Sequence, residues 1–220
     1  MKIKVCAVVS FLILFLSAGF AKEKPNNKNS AEKSAAARMI SDAVSHLEFS
    51  AYYVSAFPFG DMTDYSRSSA GAGAGIECEV LRGLMKNAKT GVLFNFDYMN
   101  YFPVREEVEN LDAFNFLWGL WYRLLLPQDI SIQAEAGAGI SISRLKVLTA
   151  SSGVIDDVYY DFLARGTLSV RKAFVKTKYL TVFLDTGARF SYQQEQTRHF
   201  FSAGPKIGFV FNFMPDAVKK

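Results

Sequence analysis

The sequence predicts an all-β protein: an eight-stranded antiparallel up-and-down transmembrane β-barrel, preceded by a signal peptide and a short polar, partly helical N-terminal segment. Three observations predict it. Eight stretches alternate apolar and polar residues with period two, the mark of a strand with two unlike faces. These stretches exceed the roughly five or six residues of a soluble strand and suit a tilted membrane strand of about 9–11. After the N-terminus, no apolar run reaches the ~20 residues of a spanning helix, so a membrane form must close its strands into a barrel.

The 220 residues are enough for one domain. Residues 1–21 read as a secretory signal: Lys2 and Lys4 lead, an apolar core follows, and Ser17, Ala18, Gly19 and Ala21 are small residues suited to cleavage. Its removal takes the formal net charge from +4 to +2, too small an excess to argue for nucleic acid. It also takes Cys6 and leaves Cys78 without a disulfide partner, read as a small apolar residue of the outer face. Residues 22–45 form a polar linker, in which Ser30 could cap a short helix carrying Met39, Ile40, Ala43 and Val44. The barrel is assigned to 46–213 and a tail to 214–220.

The strands are expected at about 46–57, 69–81, 89–102, 113–126, 129–143, 158–170, 179–193 and 202–213. The first places Leu47, Phe49, Ala51, Tyr53 and Phe57 on one face. In the second, Ala70, Ala72, Ala74, Ile76 and Cys78 alternate with glycines and glutamates. The third sets Val92, Phe94, Phe96 and Tyr98 against Asn95 and Asp97, and the fourth sets Phe114, Phe116, Trp118 and Leu120 against Asn115 and Arg123. The fifth is the most regular: Ile132, Ala134, Ala136, Ala138, Ile140 and Ile142 alternate with Gln133, Glu135, Gly137, Gly139 and Ser141. The sixth and seventh oppose Tyr160, Phe162 and Leu168 to Asp161 and Arg165, and Leu184 and Phe190 to Asp185 and Arg189. The last opposes Ile207, Phe209, Phe211 and Phe213 to Lys206, Gly208 and Asn212.

Connections at 82–88, 127–128 and 171–178 are expected as short turns on one side, and those at 58–68, 103–112 and 144–157 as longer loops on the other. Gly71, Gly73, Gly75, Gly137 and Gly139 share the inward parity, where missing side chains leave room for Trp121, Arg123 or Arg165. Aromatic residues near strand ends fit interface girdles.

The inward parity gathers Glu77, Glu79, Asp97, Glu135, Asp161 and Asp185 with Arg123, Arg165, Arg189 and Lys206. Eight strands leave an interior only just wide enough for side chains, so the simplest reading is a structural ion-pair network. The alternative is a narrow polar pore whose selectivity these charges set. Catalysis has little support, and the chain is read as no enzyme. His199 could meet Ser66, Ser68 or Ser69 with Asp61 or Asp64, but a Ser/His/Asp site needs its base within hydrogen-bond reach. Nothing in the spacing implies a metal or another cofactor.

In the last strand, Lys206, Gly208, Phe211 and Phe213 follow the pattern polar–x–Gly–x–x–aromatic–x–aromatic. This resembles the C-terminal signal read by the outer-membrane assembly machinery, here followed by seven further residues, 214–220. With it, the region from Leu47 to Phe213 resembles the small eight-stranded outer-membrane proteins, the family of OmpX, OmpW and the OmpA barrel. The resemblance implies a bacterial outer-membrane location, contact with membrane lipid and with the assembly machinery, and a monomer. Its roles differ. The chain is expected to be a narrow channel for small or hydrophobic solutes, or a structural barrel with a charged interior. The alternatives are a surface adhesin binding host ligands through its loops, and a soluble periplasmic lipocalin-like barrel, which requires the apolar face to turn inward.

Overall fold

A computed structural model describes residues 47–85, 87–148, 153–195 and 198–213. The expected signal peptide, the linker with its helix, and the tail lie outside the described residues. Eight strands follow in order: β1 Leu47–Gly60, β2 Ser66–Met85, β3 Ala88–Pro103, β4 Val108–Leu126, β5 Ile130–Leu148, β6 Val154–Lys176, β7 Leu180–Glu195 and β8 Arg198–Phe213. A 3-10 turn, Asp61–Asp64, joins β1 to β2. Each strand pairs antiparallel with its sequence neighbour, and β1 pairs with β8 from Glu48↔Asn212 to Gly60↔Phe200, which closes the barrel.

The alternation predicted from the sequence sets the two surfaces. Outward positions carry large apolar side chains, among them Leu120 at 64% exposure and Trp118 at 56%. Inward positions carry the charges. A soluble protein does not leave so continuous an apolar face in water. The apolar face points out, so the soluble lipocalin-like alternative does not hold.

Charges on the outer face mark where the apolar belt stops. On β4 the outward residues are apolar from Phe114 to Leu124, with Asp112 beyond; on β5 they are apolar from Ile132 to Ile142, with Arg144 beyond. On β6 the belt runs from Tyr160 to Val170 inside Lys172 and, past Val158, Asp156. With Leu126, Ile130 and Val158 counted, the outward apolar run on each of these strands is thirteen residues long. That is enough to hold a tilted membrane strand of about 9–11 residues.

The strands outrun that belt. The expected loops at 58–68, 103–112 and 144–157 and turns at 82–88 and 171–178 are in large part strand. Pairing continues through Leu145↔Asp157 and Val147↔Ile155 to Leu148↔Val154. Outside the bilayer both faces are solvated, so a strand there needs no alternation and reads as loop. β4, β5 and β6 therefore project together beyond the barrel mouth, on the side opposite the barrel's two ends at Leu47 and Phe213.

The hairpin between β4 and β5 turns at Gln128 (φ 62°) and Asp129 (φ 61°), two successive left-handed residues that match the strand twist. Neither is glycine, and a side chain in that region costs about 1–2 kcal/mol. Gln128 is exposed. We expect Gln128→Gly to stabilise the folded barrel by about 0.5–1 kcal/mol in urea unfolding from micelles.

Candidate functional site

The lumen holds two charged groups. The first lies towards the end where β1 begins. Arg123 forks onto Glu48, with Nη1–Oε1 at 2.9 Å and Nη2–Oε2 at 2.6 Å, and also donates to Glu77 at 3.0 Å and Gln133 at 2.7 Å. Arg171 forks onto Glu77 at 2.6 and 2.9 Å and approaches Glu48 at 3.3 Å, Asp185 at 3.4 Å and Glu135 at 3.5 Å. Lys206 reaches Asp185 at 3.0 Å and Glu135 at 3.5 Å. Four acids thus face three bases.

The second group centres on Asp97. Arg165 donates to it at 2.5 and 3.2 Å, Arg189 at 3.4 Å, Asn115 at 2.8 Å and Tyr52 at 3.2 Å. Here one acid faces two bases, so the two groups together are neutral. Tyr52 joins them. Its ring has the Arg189 guanidinium 4.9 Å away and the Lys206 ammonium 5.0 Å away. Both cations sit within the range of attraction to an aromatic face.

Sequence dictates why these long side chains fit. Tyr52 lies opposite Gly73 on β2, where a Cβ would stand 2.6 Å from both the tyrosine ring and the Cβ of Asp97. Trp121 likewise covers Gly91, whose Cβ would approach its ring to 2.7 Å, and its indole N–H donates to the Val92 carbonyl at 3.0 Å. Trp121 forms an apolar patch with Leu93, Leu117 and Leu163. Small residues on one strand are sockets for large ones on the next.

The structure brings together eight of the ten predicted charges: Glu77, Arg123, Glu135, Asp185 and Lys206 in one group, Asp97, Arg165 and Arg189 in the other. Glu79 stands apart, 2.8 Å from a partly exposed Lys89. Asp161 lies towards the mouth, accepting from Ser143 at 3.1 Å. Sequence reasoning missed Glu48 and Arg171. Glu48 has the inward parity of β1, and Arg171 that of β6, but the sixth strand was expected to end one residue before Arg171. Of the final-strand motif, Lys206 is buried in the ion pairs and Gly208 packs against Tyr52. Phe213 faces outward.

Asp97, Arg171 and Asp185 are at most 1% exposed. A void of about 10 Å³ beside Arg165 and Arg189 has room for no more than about one water. At the mouth, a pocket of about 90 Å³ is lined by Tyr65, Tyr101, Tyr159, Asp161, Gln193 and Arg198, among others. Arg198 covers it, its guanidinium 5.2 Å from the Tyr65 ring.

The structure does not assemble a Ser/His/Asp site around His199. Ser66 donates to the carbonyls of Ser68 at 2.8 Å and Phe102 at 3.2 Å, and Ser69 to that of Ala56 at 3.4 Å. The His199 ring meets Tyr192 instead, at 2.8 Å, while its backbone N–H donates to Asp61. Among the described residues there is no cluster of three or more His, Cys, Asp or Glu placed to hold a metal ion.

Outside the membrane, the projecting sheet is pinned by Arg144–Asp156 at 2.5 Å and Lys146–Glu109 at 2.6 Å. Hydrogen bonds from Arg144, reinforced by its charge, hold the Asp156 carboxyl below the usual aspartate range.

No protein-family model and no curated protein sequence matches the chain. Solved structures do. Neisserial surface protein A is 16% identical with a TM-score of 0.48, over 76% of this chain and 97% of that one. The attachment invasion locus protein Ail of Yersinia pestis is 12% identical with a TM-score of 0.46, over 76% and 98%. The outer membrane enzyme PagL is 12% identical with a TM-score of 0.44, over 74% and 97%. These similarities concern architecture and attach the chain to neither OmpW nor OmpX in particular. The fold is an eight-stranded closed antiparallel barrel of the outer-membrane type.

Removing one partner from a buried ion pair leaves an uncompensated charge, a loss of about 3–5 kcal/mol. We expect Arg171→Met to destabilise the barrel by that amount in urea unfolding. Adding Glu77→Gln should recover part of it, and simple additivity would show the two not to be coupled. Gly73→Ala should cost about 1–3 kcal/mol by overpacking against Tyr52, checked by the same measurement.

Proposed function

We propose that this chain is an integral barrel of the bacterial outer membrane, closed to solutes, that works through its projecting sheet on the outer surface. The observation that supports it is the packed, ion-paired lumen. A conducting path would have to part Arg165 from Asp97 and Arg171 from Glu77, both pairs nearly dry. Eight strands leave no space for a standing channel once such side chains are inside. The charged lumen then has a structural role, as a polar core that specifies which strands meet. The narrow-channel reading needs a second conformation, whereas the surface reading needs only the one described.

In this reading the barrel contacts membrane lipid through its apolar belt and acts as a non-catalytic monomer. Lys206, Gly208, Phe211 and Phe213 of β8 also serve as the segment the assembly machinery recognises. The partners lie outside, at β4–β5–β6, where the strands continue well past the bilayer without any need to span it.

Two measurements test the proposal. The full-length protein, refolded into planar bilayers with insertion confirmed, should give no discrete conductance steps; reproducible steps would refute the closed lumen. Cells displaying a form in which residues 146–156 are replaced by a two-residue turn should lose attachment to immobilised matrix protein. Undiminished attachment with the barrel still folded would refute the surface role.

A further inference from the structure

The barrel mouth holds a built cup. A pocket of about 90 Å³ takes its lining from the 3-10 turn and from β3 to β8. At about 30 Å³ for each water, that is the volume of about three, enough for a compact organic group. Four aromatic rings line it, those of Tyr65, Tyr101, Tyr159 and Phe200. Two of them are pinned by their neighbours. Phe200 meets the Tyr65 ring edge-on, with centroids 6.0 Å apart, and the Tyr101 hydroxyl donates to Gln193 at 3.2 Å. Gln193 in turn donates to Ser141 at 2.6 Å. Asp161 brings a carboxylate into the same cup. It is 5% exposed, and the Ser143 hydroxyl orients it by donating at 3.1 Å. Tyr159 and Asp161 stand two residues apart on β6, so both project to the same inward face.

Two further observations give the charge and shape of an occupant. The segments on the mouth side, 58–68, 104–112, 143–161 and 193–201, hold ten acidic residues and five basic ones, a net charge of −5 in a chain whose whole is +4. Such a field raises the local concentration of cations at the cup. The chain also carries one example of the contact itself. The Arg198 guanidinium lies 5.2 Å from the Tyr65 ring centroid, and its Nη1 donates to the Tyr65 hydroxyl. A guanidinium is planar, weakly hydrated and suited both to an aromatic face and to a carboxylate. An ammonium holds its water more tightly and gives up more on entering a cup with apolar walls such as Met62 and Leu111.

We infer that the cup binds a guanidinium cation, held against the rings of Tyr65 and Tyr159 with its N–H groups directed at Asp161. The rings and the carboxylate select a flat cation over a neutral molecule of the same outline. Arg198 sets the affinity from the rim, because it competes for the Tyr65 face and repels a second positive charge. The site opens outward and asks for no path through the packed lumen.

The test uses the full chain refolded in nonionic micelles, with isotope-labelled methionine methyl groups, titrated with methylguanidinium and with methylurea, its neutral isostere. Methylguanidinium should bind and shift the methyl resonance of Met62, which lines the cup. Methylurea should bind at least about tenfold more weakly. Potassium chloride at equal concentration should not displace the cation, since a general acidic field has no preference among monovalent cations. Arg198→Gln, a change at an exposed residue, should tighten binding several-fold. Tyr65→Leu and Asp161→Asn should each weaken it about three- to tenfold, and Tyr65→Phe should retain it. Arginine blocked at both ends tells two sources of the group apart: affinity equal to that of methylguanidinium assigns an arginine side chain of a polypeptide, and about tenfold lower affinity assigns a free small cation. Equal binding of methylurea, displacement by potassium, no effect of Arg198→Gln, or no binding by the folded barrel up to about 10 mM would each overturn the inference.

Discussion

The buried guanidinium of Arg171 ties the barrel together. A cation with 1% of its surface exposed requires carboxylates, and it finds them on four other strands, through Glu48, Glu77, Glu135 and Asp185. Any slip in register would strand at least one of these charges. In a dry interior an uncompensated charge is far more damaging than a lost apolar contact. The ion-pair core therefore specifies the arrangement of strands more than it adds to stability.

That core is possible because the apolar surface has somewhere else to go. In a soluble barrel, large apolar residues fill the inside and charges face water. Here the bilayer solvates Leu120, Trp118 and Phe190 from outside, and the lumen is left to polar side chains. Eight strands make the lumen narrow, so long side chains must interdigitate. Glycines at 73 and 91 supply the sockets, and Tyr52 and Trp121 occupy them. The close packing of the lumen has this origin: large inward residues meeting glycine across a strand pair.

Beyond the belt the constraints change. Water can satisfy both faces of a strand and both of its edges, so β4, β5 and β6 extend without alternation, and β6, among the described residues, runs on past its last pair with β7 at Phe162↔Gln194. The membrane part and the projecting part thus follow opposite rules, the first closed on itself within lipid and the second solvated on both faces.

Much of this was legible in the chain itself. Period two named the eight strands and separated the two faces, and because alternation is a local property the inward charges could be recognised residue by residue. Glu48 was recognisable by the same parity, and Arg171 was hidden only by a strand end set one residue short. What tertiary structure alone decided was which charges meet. Arg171 and Glu77 are 94 residues apart, and Arg171 and Glu48 are 123 apart. Their contact depends on the stagger of strands around a closed sheet, a quantity summed over all eight pairings and written in no single stretch. The same holds for the length of the projecting strands, where solvated backbone leaves no periodic signal in the sequence and only the register with neighbouring strands shows how far they run.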